Sequence, residues 1–492
     1  MAECETPAYR VFCFQPVGTW VAIGGPEAMS CDNVSVTDGV ADAPRRLRRW
    51  LRPAPWLRAL LFWGGAVAAG ATAVAFARGS DAALSFFHWA GRRTALWPWL
   101  APPLGLALVA WLTQRVFPGT QGSGIPQTIA ALSMSNREAR DRLLSMRIAV
   151  GKLVLTLAAL ASGASIGREG PTVQIGASIM HSLRRFTPFS GADIDRGLIL
   201  AGGAAGIAAA FNTPLAGIVF AIEELSRSFE ERTSGTIYTA VIVAGVTSVA
   251  LVGNYTYFGS TQASLTDARM WVVVPVCGLV GGLAGGVFSR CMLALRPGLA
   301  GRLGEFRAGR PVRFAFLCGL VVALIGWASS GATFGTGYDE ARAIVQTQVI
   351  PPHSYAFLKA LATLVSYVTG IPGGIFAPSL AVGAGLGGTL SRYLPYAPGG
   401  AIVLLTMAAY FAGVVQAPLT ALVIVSEMTG NRNLTLPLMA VTLIGRGASA
   451  LICRESLYRA LAVAFIEKPP QAAAKTAQPP PQRPSDSSAT PP

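Results

Sequence analysis

Two short segments place ion-binding chemistry inside otherwise apolar sequence. Residues 167–171 read Gly-Arg-Glu-Gly-Pro. A carboxylate at bilayer depth costs at least ~2.5 kcal/mol on insertion scales, which makes Glu169 a candidate for a site beside water, a partner or a transport path. Pro171 suits the first turn of a helix, where its missing N–H costs nothing, and Gly167 and Gly170 let other groups approach the backbone closely. The free N–H groups of such a helix start attract anions. Residues 373–378, Gly-Gly-Ile-Phe-Ala-Pro, form a rough counterpart. An anion inside a membrane needs hydrogen-bond donors yet must be able to leave. Helix N-termini meet both needs, because they offer partial charge and unpaired N–H groups without a permanent ion pair.

The spacing of these motifs follows an internal repeat. Phe211-Asn212-Thr213-Pro214-Leu215-Ala216 aligns with Val415-Gln416-Ala417-Pro418-Leu419-Thr420, and the two prolines lie 204 residues apart. Each begins an apolar run that ends in a carboxylate at the same offset, Glu223 and Glu427. Pro171 and Pro378 are 207 residues apart. Two halves of related design are expected. In transporters such halves commonly meet at a midplane site built from broken helices, often with inverted topology.

Composition identifies the solvent of the elements that hold these motifs. Of 492 residues, 52% are hydrophobic and only 13% charged, and the mean hydropathy is +0.49. One soluble core cannot absorb that, so a polytopic membrane protein is expected. Apolar stretches fall at 58–77, 99–116, 146–166, 197–223, 236–253, 271–288, 314–329, 357–371, 374–390, 400–426 and 434–452. Gly (55) and Pro (33) recur inside them, as expected where helices stop at mid-membrane depth. The glycines at 278, 281, 282, 285 and 286 suit close helix packing.

The net charge of +15 sits mainly in short segments between apolar stretches, so it reads as positive-inside topology and not as nucleic-acid binding. Arg45, Arg46, Arg48, Arg49 and Arg52, and later Arg290, Arg296, Arg302, Arg307, Arg310 and Arg313, mark cytoplasmic segments. No cleavable signal peptide is expected from the opening residues. Seven cysteines show no CxxC spacing and the three histidines are far apart, so neither metal nor cofactor is expected. The chain divides into a polar, disordered cytoplasmic N-terminus (1–55), a membrane domain (56–466) and a disordered Pro/Ala-rich tail (467–492).

Taken together the motifs resemble one family. GSGIPQ at 122–127, GREGP at 167–171 and GGIFAP at 373–378 occur in the order found in the CLC chloride channels and proton-coupled chloride transporters. AAAFNTPLAGIVFAIEEL at 208–225 and Tyr458 in a Ser-Leu-Tyr context extend the likeness over about 100–460. The resemblance implies an all-α polytopic fold of two inverted repeats, about 100–260 and 270–460, whose broken, tilted helices meet at a midplane anion site. It implies chloride held by the hydroxyls of Ser123 and Tyr458 and the backbone N–H groups of Ile375 and Phe376. Glu169 would be the gating, proton-coupling glutamate: ionised it competes with chloride, protonated it swings away. Glu224 would be the internal proton-transfer glutamate, with Gly167, Arg168, Gly170, Pro171 and Glu223 in support. The large nucleotide-binding pairs of eukaryotic members are not expected here, which favours a bacterial inner-membrane protein, and the resemblance implies a homodimer with one pathway per subunit.

Each assignment has an alternative from the residues alone. Ser123 could cap a helix, Tyr458 could anchor at the interface, Phe376 could be core, and Glu169 could simply pair with Arg168. Members that conduct chloride passively commonly lack a carboxylate at the position of Glu224, so its presence favours exchange of chloride for protons over a passive channel. Ser123 points to chloride over nitrate, and Ser123 with Pro171 points away from the fluoride-exporting branch. Gln127 departs from the glutamate common there. From another class, Gly163-Ala164-Ser165-Ile166-Gly167 formally matches the GxSxG of a serine hydrolase, but it lacks the strand–turn–helix setting and an accompanying histidine.

Overall fold

The structure, a computed structural model, describes residues 3–6, 9–12, 53–186, 192–226, 231–253, 256–295, 301–347 and 351–466. Two compact units divide the chain, Met1–Arg58 and Ala59–Pro492. In the first, β1 (Glu3–Thr6) and β2 (Tyr9–Phe12) pair antiparallel, with Glu3 opposite Phe12 and Thr6 opposite Tyr9. The rest of the polar N-terminus up to residue 52, including its five arginines, lies outside the described residues, as does the tail 467–492.

The second unit is helical. In chain order its first half runs α1 (Pro53–Arg93, within this unit from Ala59), α2 (Trp97–Arg115), α3 (Ile125–Ser133), α4 (Arg137–Asp141), α5 (Met146–Ala161), α6 (Glu169–Ser182), α7 (Ala192–Phe211), α8 (Pro214–Phe220) and α9 (Glu231–Val252). The second half runs α10 (Val273–Ala294), α11 (Arg302–Gly309), α12 (Pro311–Ala328), α13 (Tyr338–Thr347), α14 (Tyr355–Val368), α15 (Phe376–Leu390), α16 (Gly399–Val415), α17 (Pro418–Thr429), α18 (Thr435–Ala450) and α19 (Leu457–Ile466). Among the described residues, five helical stretches are long and apolar enough to cross a membrane: Ala59–Arg93, Arg137–Ala161, Ile194–Phe211, Ala268–Ala294 and Pro311–Ala328. Several others, including α14, α15, α16, α17 and α19, are apolar but shorter. This is an all-α polytopic membrane body with interrupted helices.

The interruptions follow one recipe in both halves. The apolar stretches 197–223 and 400–426 each break into two helices. Asn212 (φ 57°) and Gln416 (φ 62°) leave the helix in the left-handed region, and Pro214 and Pro418 start the next one. Proline has no N–H to continue a ladder but fits a first helical position. Each new helix receives a carboxylate from the opposite half. Glu223 accepts from Leu419 N (3.2 Å), Thr420 N (2.7 Å) and Thr420 Oγ1 (2.8 Å), and Glu427 accepts from Ala216 N (2.8 Å). The repeat read in the sequence is thus a reciprocal contact: the end of each broken helix caps the start of its counterpart.

Glycine sets the close approaches that pack these helices. A Cβ on Gly176 of α6 would strike the carbonyl of Gly202 on α7, and a Cβ on Gly202 would strike that of Gly176. On α10, Gly281 and Gly285 lie against the backbone of α16 around Ala409 and Tyr410, while Gly282 and Gly286 lie against α18 at Gly445 and Ser449. Small residues at these crossings replace a hydrophobic driving force that lipid does not provide. Gly202→Ala should force α6 and α7 apart and destabilise the protein by about 1–3 kcal/mol; a lower unfolding temperature of the detergent-purified variant checks this.

Candidate functional site

Three loops meet at the centre of the helical unit, joined by backbone hydrogen bonds. Gly122 N donates to Ile371 O (3.1 Å) and Gly373 N donates to Gly122 O (3.1 Å). Gly167 and Gly374 form an antiparallel bridge, N–H to carbonyl in both directions at 2.6 and 2.7 Å. Three carbonyls of the first loop, and two of the loop that leads into α13, go to two fully buried lysines. Lys152 Nζ donates to Thr120 O (2.9 Å), Gln121 O (3.3 Å) and Gly122 O (2.7 Å), and Lys359 Nζ donates to Thr333 O (3.0 Å) and Gly335 O (2.9 Å). Gln127 belongs to the same framework, since its Oε1 accepts from Gly124 N (2.9 Å) and its Nε2 donates to Gln121 O. The amide makes both bonds at once, which an ionised glutamate could not.

Helices α3, α6 and α15 start from these loops, so three N-termini with unpaired N–H groups converge. Gly124, at φ 108°, makes the turn into α3, and a Cβ at Gly170 would collide with Ser123 Oγ. Ser123 and Tyr458 are buried, and among the described residues neither hydroxyl has a hydrogen-bond partner. A buried hydroxyl without a partner costs about 1–3 kcal/mol, so both are suited to a ligand that accepts hydrogen bonds. Ile375 is the N-cap of α15 and Phe376 its first residue, and both are also buried. The Phe376 ring packs between Phe211 (5.1 Å between centroids) and Phe411 (4.3 Å), which fixes the backbone to which its N–H belongs.

Glu169 is fully buried at the first position of α6, with Pro171 in the same turn. Its Oε2 accepts from Ala377 N (3.3 Å), one residue beyond the pair expected from the sequence, and its Oε1 accepts from the Tyr338 hydroxyl (2.5 Å). The carboxylate thus lies across the start of α15. A simple Glu169–Arg168 pair is not what holds it. Arg168 Nη1 instead donates to Asp81 Oδ1 (2.7 Å) and Ala77 O (2.6 Å) on α1, with its guanidinium 5.5 Å from the ring centroids of both Tyr257 and Tyr338. Gly167 is close enough that an added Cβ would meet Glu169 Oε2.

Glu224 is buried in a π-helical turn, Ala221–Ser226, that follows α8. Such turns are rare and frequently sit at functional sites. Ser456 Oγ donates to its Oε1 (3.1 Å), and Arg459 donates to its backbone carbonyl (3.4 Å). Tyr458, two residues from Ser456, lies within electrostatic reach of both Glu224 and Glu169. Glu223 turns away to cap α17, as described above.

Sequence reasoning missed Tyr338, Asp81, Ser456 and the two lysines. Lys152 and Lys359 did leave a signal, cations inside apolar stretches and 207 residues apart, the same offset as the prolines of the site. Ser165 does not have the surroundings of a nucleophile. It is buried, with its hydroxyl 3.1 Å from that of Thr363 and its N–H donating to Ser366 Oγ (3.1 Å).

Two related helical halves, with the N-termini of α3, α6 and α15 brought to one buried point, make up an ion-transport membrane protein. The family description "Voltage gated chloride channel" matches residues 105–450. The chain belongs to this family, the CLC proteins. Its relatives include the H(+)/Cl(-) exchange transporter ClcA of Cronobacter sakazakii, 31% identical over 366 residues (70% of this chain, 76% of the relative). ClcA of Yersinia pseudotuberculosis is 29% identical over 437 residues (83% and 87%). Among solved structures, a slow cyanobacterial Cl−/H+ antiporter superposes with a TM-score of 0.71 at 25% identity (83% and 98%), and a CLC-type fluoride/proton antiporter shares the fold with a TM-score of 0.68 at 23% identity (82% and 96%).

Removing one hydroxyl donor from the site should weaken but not abolish anion binding, because backbone N–H groups remain. Ser123→Ala and Tyr458→Phe should each raise the chloride dissociation constant roughly three- to tenfold, as read by calorimetric titration of the purified protein.

Proposed function

We propose that this protein is a proton-coupled chloride antiporter, exchanging chloride for protons across the membrane. The observation that carries this reading is the position of Glu169. A titratable carboxylate lies on the helix start that would otherwise hold an anion, while a second buried carboxylate, Glu224, is hydrogen-bonded to Ser456 just before α19, the helix that carries Tyr458. Ionised, Glu169 occupies α15's N–H groups in place of chloride. Protonated, it loses that attraction and yields the position. Proton and anion occupancy are therefore linked, and the linkage is reciprocal.

Chloride in this scheme rests on Ser123 Oγ, Tyr458 OH and the N–H groups of Ile375 and Phe376. Glu224, held by Ser456, passes the proton to the cytoplasmic side. Gly167, Arg168, Gly170, Pro171 and Glu223 shape the loops and helix starts. The relatives named as H(+)/Cl(-) exchange transporters support exchange over passive conduction, and the retained Glu224 supports it independently. The transport domain comprises residues 56–466, and the working form is a homodimer in a bacterial inner membrane with one pathway per subunit.

Proteoliposomes under a chloride gradient, voltage-clamped with potassium and valinomycin, test this. The wild type should drive protons uphill. Glu169→Gln should abolish proton movement altogether, and Glu224→Gln should stop proton movement while chloride flux continues. Chloride flux without proton movement in the wild type would make the protein a passive channel.

A further inference from the structure

Tyr338 is tied to the central carboxylate by a short hydrogen bond, yet nothing in the motif pattern assigns it a role. It begins α13, a short helix of the second half, and is reached through a loop where Gly335 (φ 67°) and Gly337 (φ 81°) adopt conformations that favour glycine. The 2.5 Å separation between its hydroxyl and Glu169 Oε1 is in the range of charge-assisted O–H···O− bonds. The ring is buried and clamped. Tyr257 lies 4.3 Å and Phe258 5.6 Å away between centroids, and Arg168, anchored by Asp81, lies over it. The other side of this cluster borders a cavity of about 340 Å³ lined by Arg78, Asp81, Arg168, Asp339 and Arg342 as well as by Tyr257 and Tyr338. Tyr338 thus separates Glu169 from a charged vestibule.

We infer that Tyr338 is a latch on Glu169: its hydroxyl holds the ionised carboxylate over the anion position and sets the pH of the vestibule side at which the carboxylate protonates and lets go. A hydrogen bond donated to a carboxylate favours the charged form. The other groups that bear on the carboxyl are Arg168 beside it, Ala377 N from α15 and Tyr458 from α19. The vestibule adds Arg78 and Asp81 from α1 and Asp339 and Arg342 from α13. Tyr338, Ala377 N and Glu169's own backbone N–H hydrogen-bond the carboxyl, and of these donors only Tyr338 can be altered without touching the backbone. The inference rests on the proposed role of Glu169, but it holds equally for an exchanger and a channel.

Tyr338→Phe keeps the ring and its packing and removes the one donor. Chloride efflux from proteoliposomes, followed with a chloride electrode against pH on the vestibule side, should rise on acidification in the wild type. In Tyr338→Phe the same curve should move to higher pH by about one unit, because the protonated carboxyl is no longer opposed by the latch. In the Glu169→Gln background, Tyr338→Phe should leave efflux unchanged at every pH. Tyr257→Leu, which disturbs ring packing but keeps the hydroxyl, should shift the curve less than Tyr338→Phe. An unmoved curve in Tyr338→Phe, or the same effect of Tyr338→Phe with and without Glu169, would overturn the latch while leaving Glu169's own role intact. A wild-type efflux that does not respond to pH would remove both.

Discussion

Backbone that leaves helical geometry in the middle of a membrane protein has no water to satisfy it, and the rest of this structure depends on how that demand is met. The Gly167–Gly374 bridge joins the two halves at their irregular loops. Lys152 and Lys359 then take up five further carbonyls, three and two respectively. A buried ammonium is costly alone, but here each is surrounded by the acceptors that would be equally costly without it. With the carbonyls of the loop before α3 turned to Lys152, the N–H groups of that helix start are left to face the centre it shares with α6 and α15. The site's positive potential is therefore a by-product of satisfying the loops.

That arrangement explains how one residue can be both ligand and switch. Helix N-termini carry roughly half a charge each, enough to hold a carboxylate or a halide but too little to hold either permanently. Glu169 lies on Ala377 N at 3.3 Å, a loose bond by comparison with its 2.5 Å bond to Tyr338. The stronger hold is on the vestibule side and the weaker one at the anion position. Meanwhile Arg168 hydrogen-bonds Asp81 and Ala77 and not Glu169, so its charge acts on the carboxylate without tying it in place.

Much of this was legible in the sequence because membrane insertion makes exceptions conspicuous. Glu169 stood out as a carboxylate in an apolar run, and the paired prolines at 214 and 418 disclosed the repeat. The breaks at Asn212 and Gln416 were hidden inside single apolar stretches, since a change of backbone hand leaves hydropathy unaltered. Short helices such as α3 and α13 were equally hard to read, being too brief or too mixed in polarity to register as spans. Partners from distant sequence were invisible. Tyr338 lies 169 residues from Glu169, and Asp81 lies 87 from Arg168, and no local pattern connects either pair. Gln127 read as a departure from a pattern, and only the geometry shows an amide using its donor and its acceptor at once.

The exchanged caps between the halves also constrain how the chain can be made. Ala216 N waits for a carboxylate 211 residues further on, at Glu427. At synthesis rates of about 5–20 residues per second, that interval is on the order of 10–40 s. During it the first half resides in the bilayer with the start of α8 uncapped, whereas Glu223 is already in place when α17 emerges. The first half is a template awaiting its complement and the second half closes on a prepared surface, so biogenesis is directional although the finished contacts are nearly symmetric.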